Sequence, residues 1–189
     1  MMTIPDITLS TERLTIRMPR ESDFPAVEAF MKSDRTQFIG GKVPDQFAAW
    51  RAFLGNFGHW ALRGYGFFTV DETATGQPVG RIGLVNHVMW PEPEIGWHMF
   101  DGHEGKGFAL EAALRIRDWA WTDLGLGPLI SQIHPDNTRS RRLAERRLVA
   151  ESPAPHAGSA IGFAGHLPAP ARADDLAERC ARGGGPDHR

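Results

Sequence analysis

The heptapeptide His103-Glu104-Gly105-Lys106-Gly107-Phe108-Ala109 lies between two patterned runs. Glu94 to Phe100 alternates like a strand, and Phe108 to about Leu124 has helical spacing. Glycines at 105 and 107 let backbone amides approach a ligand without a side chain in the way. The helix that follows leaves its first N–H groups unpaired and presents the positive end of its dipole. Strand, glycine loop and helix start together make an anion site suited to phosphate or pyrophosphate. Lys106 and Lys42 can add charge from its rim. Two phosphate-loop classes fit poorly. A Walker loop needs glycine where Phe100 stands and Ser or Thr where Gly107 stands. A dinucleotide fingerprint needs Gly or Ala where Leu110 stands, after a parallel strand, and the strands here read as antiparallel. At this level a plain glycine turn ahead of a helix stays open.

The elements that must position this loop are legible as patterns. Glu12 to Met18 alternates, with Leu14, Ile16 and Met18 on one face, and reads as a half-buried strand. Ser22 or Asp23 starts a helix with an apolar stripe of Phe24, Val27, Phe30 and Met31. Asp45 caps a second helix carrying Phe47, Trp50, Phe53, Leu54 and Phe57. Phe67 to Val70 and Val79 to Val88 form a hairpin about a turn at residues 72–77. Glu94 to Phe100 is a third long strand, where Gly96 suggests a bulge or a close backbone approach. The helix from Phe108 buries Leu110, Ala113, Leu114, Trp121 and Leu124 and ends at Gly125. Leu129 to His134 is a short strand. A last helix runs from a cap at Asp136 or Asn137 to Arg147.

Bulk properties bound the function. The 189 residues carry a net charge of −2, 41% hydrophobic and 23% charged residues, which fits one soluble domain with a tail. Neither nucleic acid nor an anionic membrane is expected as a partner. Cys180 is the one cysteine, which excludes a disulfide framework and a cysteine-based zinc site. The eight histidines show no paired ligand spacing, so no metal is expected. No apolar run approaches a membrane span and residues 1–10 do not read as a signal peptide. A cytoplasmic location is expected.

Three segments carry a resemblance. They are Pro93-Glu94-Ile95-Gly96-Trp97-His98-Met99-Phe100, Glu104-Gly105-Lys106-Gly107-Phe108-Ala109-Leu110-Glu111-Ala112 and His134-Pro135-Asp136-Asn137-Thr138-Arg139-Ser140. With the opening Leu9 to Arg17, they resemble the GNAT acyltransferase superfamily, nearest to its ribosomal-protein N-terminal acetyltransferase branch. The resemblance covers about residues 8–147. It implies an α+β fold with a mixed, mostly antiparallel sheet, splayed where Glu94–Phe100 parts from Leu129–His134. It implies acetyl-CoA as cosubstrate, lying in that splay. Amides of Gly105, Lys106, Gly107, Phe108 and Ala109 would hold the pyrophosphate. Backbone groups of Met99 and Phe100 would pair with the pantetheine arm, one N–H polarising the thioester carbonyl. Asn137 matches a position that contacts the same arm, and Ser140 one near the departing sulfur. Gly102 departs from the Gln or Arg common at its place.

The implied activity is acetyl transfer to a primary amine, on a protein N-terminus or a small molecule, by direct attack. The alternative is a non-catalytic or degenerate acyl-CoA-binding member. The reaction needs a neutral amine, a stabilised oxyanion and a protonated leaving thiolate. Glu94 is the first candidate base, and His98, on the same strand face, the second. The acid that the superfamily often draws from a Tyr on the fourth helix is missing, since the one tyrosine is Tyr65. Ser140 or water is left for that role. Trp50, Phe53 and Trp90 are expected to wall the acceptor site. A homodimer is compatible with the sequence.

After Arg147 the character changes. Ala, Gly and Pro fill half of residues 148–189, and Phe163 is the only aromatic there. The domain is therefore read as residues 1–147, with 148–189 a poorly structured or frame-altered tail. Translation of the gene in the other two frames tests this: no restored pair of alternating strands would end the idea.

Overall fold

Short alternating runs set the first hairpin. Strand β1 (Thr8–Ser10) pairs antiparallel with β2 (Leu14–Arg17), and the Thr11 N–H closes the turn on the Leu14 carbonyl at 3.0 Å. Sequence reading put one strand at Glu12 to Met18; β1, three residues long, is too brief to show a period. The computed structural model describes residues 5–88, 90 and 92–145. Helices α1 (Phe24–Met31) and α2 (Gln46–Arg63) follow, then strands β3 (Phe67–Glu72), β4 (Gln77–Val85) and β5 (Glu94–Met99), and helices α3 (Phe108–Leu124) and α4 (Thr138–Glu145). The sheet order is β1-β2-β3-β4-β5, antiparallel throughout. The last helix was expected to reach Arg147. Its end and every expectation for residues 148–189 lie outside the described residues.

Alternation along the strands sorts the two faces of the sheet. Leu14, Ile16, Phe68, Val70, Ile82, Leu84 and Ile95 are fully buried in the main core. Helix α3 supplies Phe108, Ala109, Ala112, Ala113, Ile116 and Trp119 to it, a stripe rotated from the expected one. Leu110, Leu114 and Leu124 only pack against its margin. A second cluster joins Val27, Phe30, Phe53 and Phe100.

One cross-strand row is polar. Arg17, Thr69, Arg81 and His98 are register neighbours on β2, β3, β4 and β5. Asp23 sits over this row with 4% exposure. It accepts from the Arg17 guanidinium at 2.8 and 2.9 Å, from the Thr69 hydroxyl at 2.8 Å and from the Arg20 N–H at 2.8 Å. This corrects the expectation that Ser22 or Asp23 caps α1. Asp23 holds the position but its side chain makes no cap bond to the helix. By contrast the Asp45 side chain caps α2 by accepting from Ala48 N–H at 2.7 Å, and Gly125 ends α3 in the left-handed region.

One expectation narrows to one of its two alternatives, and another is cut back. The register shift falls between Val70 and Asp71, while β5 runs regularly through Gly96. Gly96 serves a close approach instead: a Cβ there would lie 2.9 Å from the ring of Phe67. Within the strand expected over Leu129 to His134, Leu129, Ile130 and Gln132 hold bridge positions, and the one bridge to β5 among the described residues is parallel, Glu94 with Ile130. There Ile95 N–H donates to the Ile130 carbonyl at 2.9 Å, and Ile130 N–H to the Pro93 carbonyl at 3.0 Å. Past that bridge no further backbone pairing joins the two segments among the described residues, and a splay opens. No helix among these residues is long and apolar enough to cross a membrane.

Candidate active site

The edge of β5 explains where backbone donors are free. In an antiparallel ladder, successive residues turn their N–H and C=O groups to opposite sides. Phe100 N–H donates to the Val79 carbonyl at 2.9 Å, so Phe100 faces β4. Ile95 faces the other way, toward Ile130. Trp97 and Met99 share the orientation of Ile95 but lie beyond the bridge, so their backbone groups open into the splay. Of the two residues expected to meet a pantetheine arm, Met99 thus offers its N–H, whereas that of Phe100 is committed to β4 and its ring to the second apolar cluster. Trp97 was missed. The period of two, which pairs Met99 with Trp97 rather than with Phe100, is the signal that finds it.

A cavity of about 680 Å3 runs from this edge to the start of α3, reaching Met99, Gly105, Gly107, Phe108, Ala109, Leu110, Asn137 and Ser140. Gly107 takes φ +83° at the helix start without a side-chain cap. The first intrahelical bond is Glu111 N–H to the Gly107 carbonyl, so the N–H groups of Phe108 to Leu110 have no helical acceptor. A Cβ on Gly107 would stand 3.3 Å from Arg13, whose guanidinium grips Glu111 at 2.6 and 2.8 Å and the Lys106 carbonyl at 3.0 Å. This clamp fixes the loop against β2. A cradle of free amides beside an open strand edge fits an extended acyl-thioester arm ending in phosphates.

The cations differ from those expected. Lys42 pairs with Asp34 at 2.7 Å and Lys106 extends over the Phe108 ring, and neither side chain lines the cavity. Arg35, Arg139 and Arg142 do. Arg35 pairs with Glu104 and, at 3.3 Å, with Asp101, while its Nε is buried without a partner, as is Nδ1 of His103. Nothing in the spacing of these arginines marks them, because loop and helix meet only in the fold.

A second cavity of about 350 Å3 adjoins the first, sharing Phe38, Ile39, Trp97, His98, Asn137 and Ser140 with it. Glu94 lies at its inner end, at the vertex of the splay. Its Oε1 accepts the Gln132 N–H at 3.2 Å, where backbone pairing has just ended. Burial lifts its carboxyl to about 7, a rise partly offset by that bond. His98 also reaches both cavities. Its ring is stacked between Phe30 and Phe67, at 5.0 Å from each. Burial, aided by the nearby Arg81, lowers it to about 3, and its Nδ1 has no partner. His98 is therefore neutral near pH 7, away from the range expected of a titrating base. Arg81, fully covered and facing the Phe67 ring, is itself lowered to about 10 by burial against the pull of Asp23.

Helix α4 closes the splay. Asn137 Oδ1 accepts the Ser140 N–H at 3.2 Å, leaving its amide NH2 to face the cavities. Ser140 Oγ accepts from Trp97 Nε1 at 3.2 Å, so its own hydroxyl hydrogen remains to donate. Trp90 lines the second cavity, but Trp50 and Phe53 do not: they pack with Phe24 and Phe57 beside α1. The expected acceptor wall is corrected accordingly. Tyr65 is a core residue, 6% exposed. Among the described residues no group of three His, Cys, Asp or Glu could hold a metal.

A splayed sheet edge, a glycine cradle at a helix start and a buried carboxylate between them define a transferase that uses an acyl thioester. The family model of the GNAT acetyltransferase domain matches residues 13–147. The chain therefore belongs to the GNAT family and is an acetyl-CoA-dependent acetyltransferase. It is 40% identical to a solved acetyltransferase from Agrobacterium tumefaciens, with a TM-score of 0.74 over 82% of this chain and 90% of that one. It is 27% identical over 140 residues to the uncharacterized N-acetyltransferase p20 of Bacillus licheniformis, covering 72% of this chain and 78% of p20. Spermidine N-acetyltransferase from Vibrio cholerae, solved with CoA and spermine, shares the fold at 16% identity and a TM-score of 0.66 over 83% of this chain and 92% of that one. Ribosomal-protein acetyltransferases also stand among the fold neighbours.

Proposed function

We propose that the protein transfers acetyl from acetyl-CoA to a primary amine by direct attack, with Glu94 as the base. The observation that carries this is the buried Glu94 carboxyl at the splay vertex, between the open β5 edge and an aromatic cavity. When bound, acetyl-CoA supplies the acetyl thioester. Amides of Gly105 to Ala109 hold its pyrophosphate, and Lys106 contributes its backbone only. The Met99 N–H is oriented to stabilise a developing oxyanion. Glu94 takes the proton of the amine directly or through water, the amine nitrogen bonds to the acetyl carbon, and the C–S bond breaks. The remaining proton of the acetylated nitrogen passes through the Ser140 hydroxyl to the leaving thiolate, so Ser140 ends unchanged, and Asn137 steadies the arm. His98, kept neutral, orients the acceptor rather than titrating.

Calorimetric titration with acetyl-CoA and with ATP, followed by thiol release over a panel of amines and peptides, tests the proposal. Acetyl-CoA should bind, ATP should not, and CoA should appear only with an amine present. Binding without turnover on any acceptor would return the protein to the non-catalytic alternative.

A further inference from the structure

The acceptor-side cavity has an unusual charge inventory for its size. Among the described residues that line it, Glu94 is the only acid, and there is no Lys or Arg. The walls are mainly flat rings and aliphatic groups, Phe38, Phe67, Trp90, Trp97 and Val85, with Ser131, Gln132, Asn137 and Ser140 as neutral polar members. His98 is neutral, and the ring of His134 stacks on Phe38 at 5.2 Å. Ile39, half-exposed, extends the apolar surface outward.

The elements around it hold this shape firmly. Asn56 of α2 exchanges two bonds with Phe67, each 2.8 Å, which fixes the base of the Phe67 ring. His59 receives the Asn86 N–H on Nε2 at 3.0 Å, so its Nδ1–H donates to the Tyr65 carbonyl at 2.6 Å. That bridge anchors the chain just before His87 and Trp90, whose rings meet edge to face at 4.4 Å. The missing side chain of Gly96 lets Phe67 lie across β5 as a floor.

We infer that the acceptor is a small apolar monoamine of the arylalkylamine type. The inference rests on the amine-acetylating reading above and narrows it. One carboxylate serves one amine. A second ammonium, as in a polyamine, would find no second acid among the described lining residues, and a carboxylate beside the amine, as in an amino acid, would find no Lys or Arg among them. Burying either charge unpaired is strongly unfavourable. A peptide N-terminus would bring a run of amide groups into a lining that is mostly ring and aliphatic surface, with four neutral polar side chains to meet them. An aryl ring on a short alkyl spacer matches both the rings and the single acid. The transfer is balanced as before: N–C forms, C–S breaks, Glu94 takes the amine proton and the thiolate leaves protonated.

The test uses the full chain with acetyl-CoA and four acceptors: 2-phenylethylamine, phenylalanine, spermidine and a short peptide with a free N-terminus. For 2-phenylethylamine, kcat/KM should exceed each of the others at least about tenfold, the scale of one misplaced charge or unpaired polar group. A second arm uses His87→Glu, an exposed position on the cavity rim. It should raise spermidine relative to 2-phenylethylamine several-fold, because the added carboxylate partners the second ammonium. Equal or better turnover of phenylalanine, spermidine or the peptide by the unaltered chain overturns the inference, as does an unchanged ratio in His87→Glu. Absence of acetyl-CoA binding in calorimetry would instead overturn the underlying acetyl-transfer reading, and this inference with it.

Discussion

Replacing Glu94 by Gln isolates the charge of the proposed base. Gln retains the oxygen that accepts the Gln132 N–H, so the vertex of the splay stays bonded. An alkyl amine has a pKa near 10, so at pH 7 only about one molecule in 10³ is neutral. With Glu94 ionised above about 7, a bound ammonium can be deprotonated in the site. Its kcat/KM should therefore rise about tenfold per pH unit up to about 7 and then level. Without the carboxylate only the scarce neutral amine reacts. The variant should be about 10³-fold slower at pH 7, within the usual range for a general base, and only about tenfold slower at pH 9. Thiol release from pH 5.5 to 9.5 reads this directly. A loss below about tenfold at pH 7, or one that does not shrink as pH rises, refutes the role. Stability gives a second, independent sign. A carboxyl raised from 4.5 to about 7 in the folded chain stabilises fully below 4.5 and loses that contribution as pH rises through about 7. The difference is about 3 kcal/mol. Urea unfolding should thus find Glu94→Gln near wild type at pH 4.5 and more stable by up to that amount at pH 8.

Two other changes separate the phosphate cradle from the scaffold. Gly107→Val forces a branched side chain to φ +83° and against Arg13, so acetyl-CoA affinity should fall more than tenfold by calorimetry. Gly76→Ala, at φ +67° in open space, should bear similar backbone strain with unchanged affinity; equal losses in both would refute the placement of the loop. Asp23→Ala removes one of the two carboxylates that hold Arg17, Asp71 keeping its bonds at 2.6 and 3.1 Å, and takes the acceptor from Thr69 and the Arg20 N–H; it should cost about 1–3 kcal/mol in urea unfolding at pH 7. Burial raises the Asp23 carboxyl, but the bonds from Arg17, Arg20 and Thr69 hold it below its ordinary 3.8. Its stabilisation is therefore present above that value and lost as pH falls through the lower, folded one. The gap between Asp23→Ala and wild type should narrow below about pH 4, and a constant gap would show that the network acts by shape alone.

Local pattern in the chain was enough for the loop, the long helices and the ladder. Gly105 and Gly107 announce a left-handed, side-chain-free approach, Asp45 and Gly125 bracket their helices, and alternation puts Glu94, Gly96 and His98 on one face. These are properties of single segments, set by steric and hydrogen-bonding rules that act over a few residues. Tertiary structure decided what lies between segments. Arg35, Arg139 and Arg142 reach one cavity from two separate elements. Lys42 and Lys106 find other contacts, and Trp50 and Phe53 turn to α1 instead of the acceptor. The splay itself exists because Leu129 to Gln132 pairs with β5 at a single bridge, which no period of the sequence encodes. Beyond that bridge the backbones of Trp97 and Met99 meet no partner strand among the described residues, and Glu94 is buried at the vertex, a burial that depends on the whole fold. The sequence places Glu94 on β5, and the low-polarity surroundings assembled by distant residues raise its carboxyl to about 7, the property on which its proposed role as base rests.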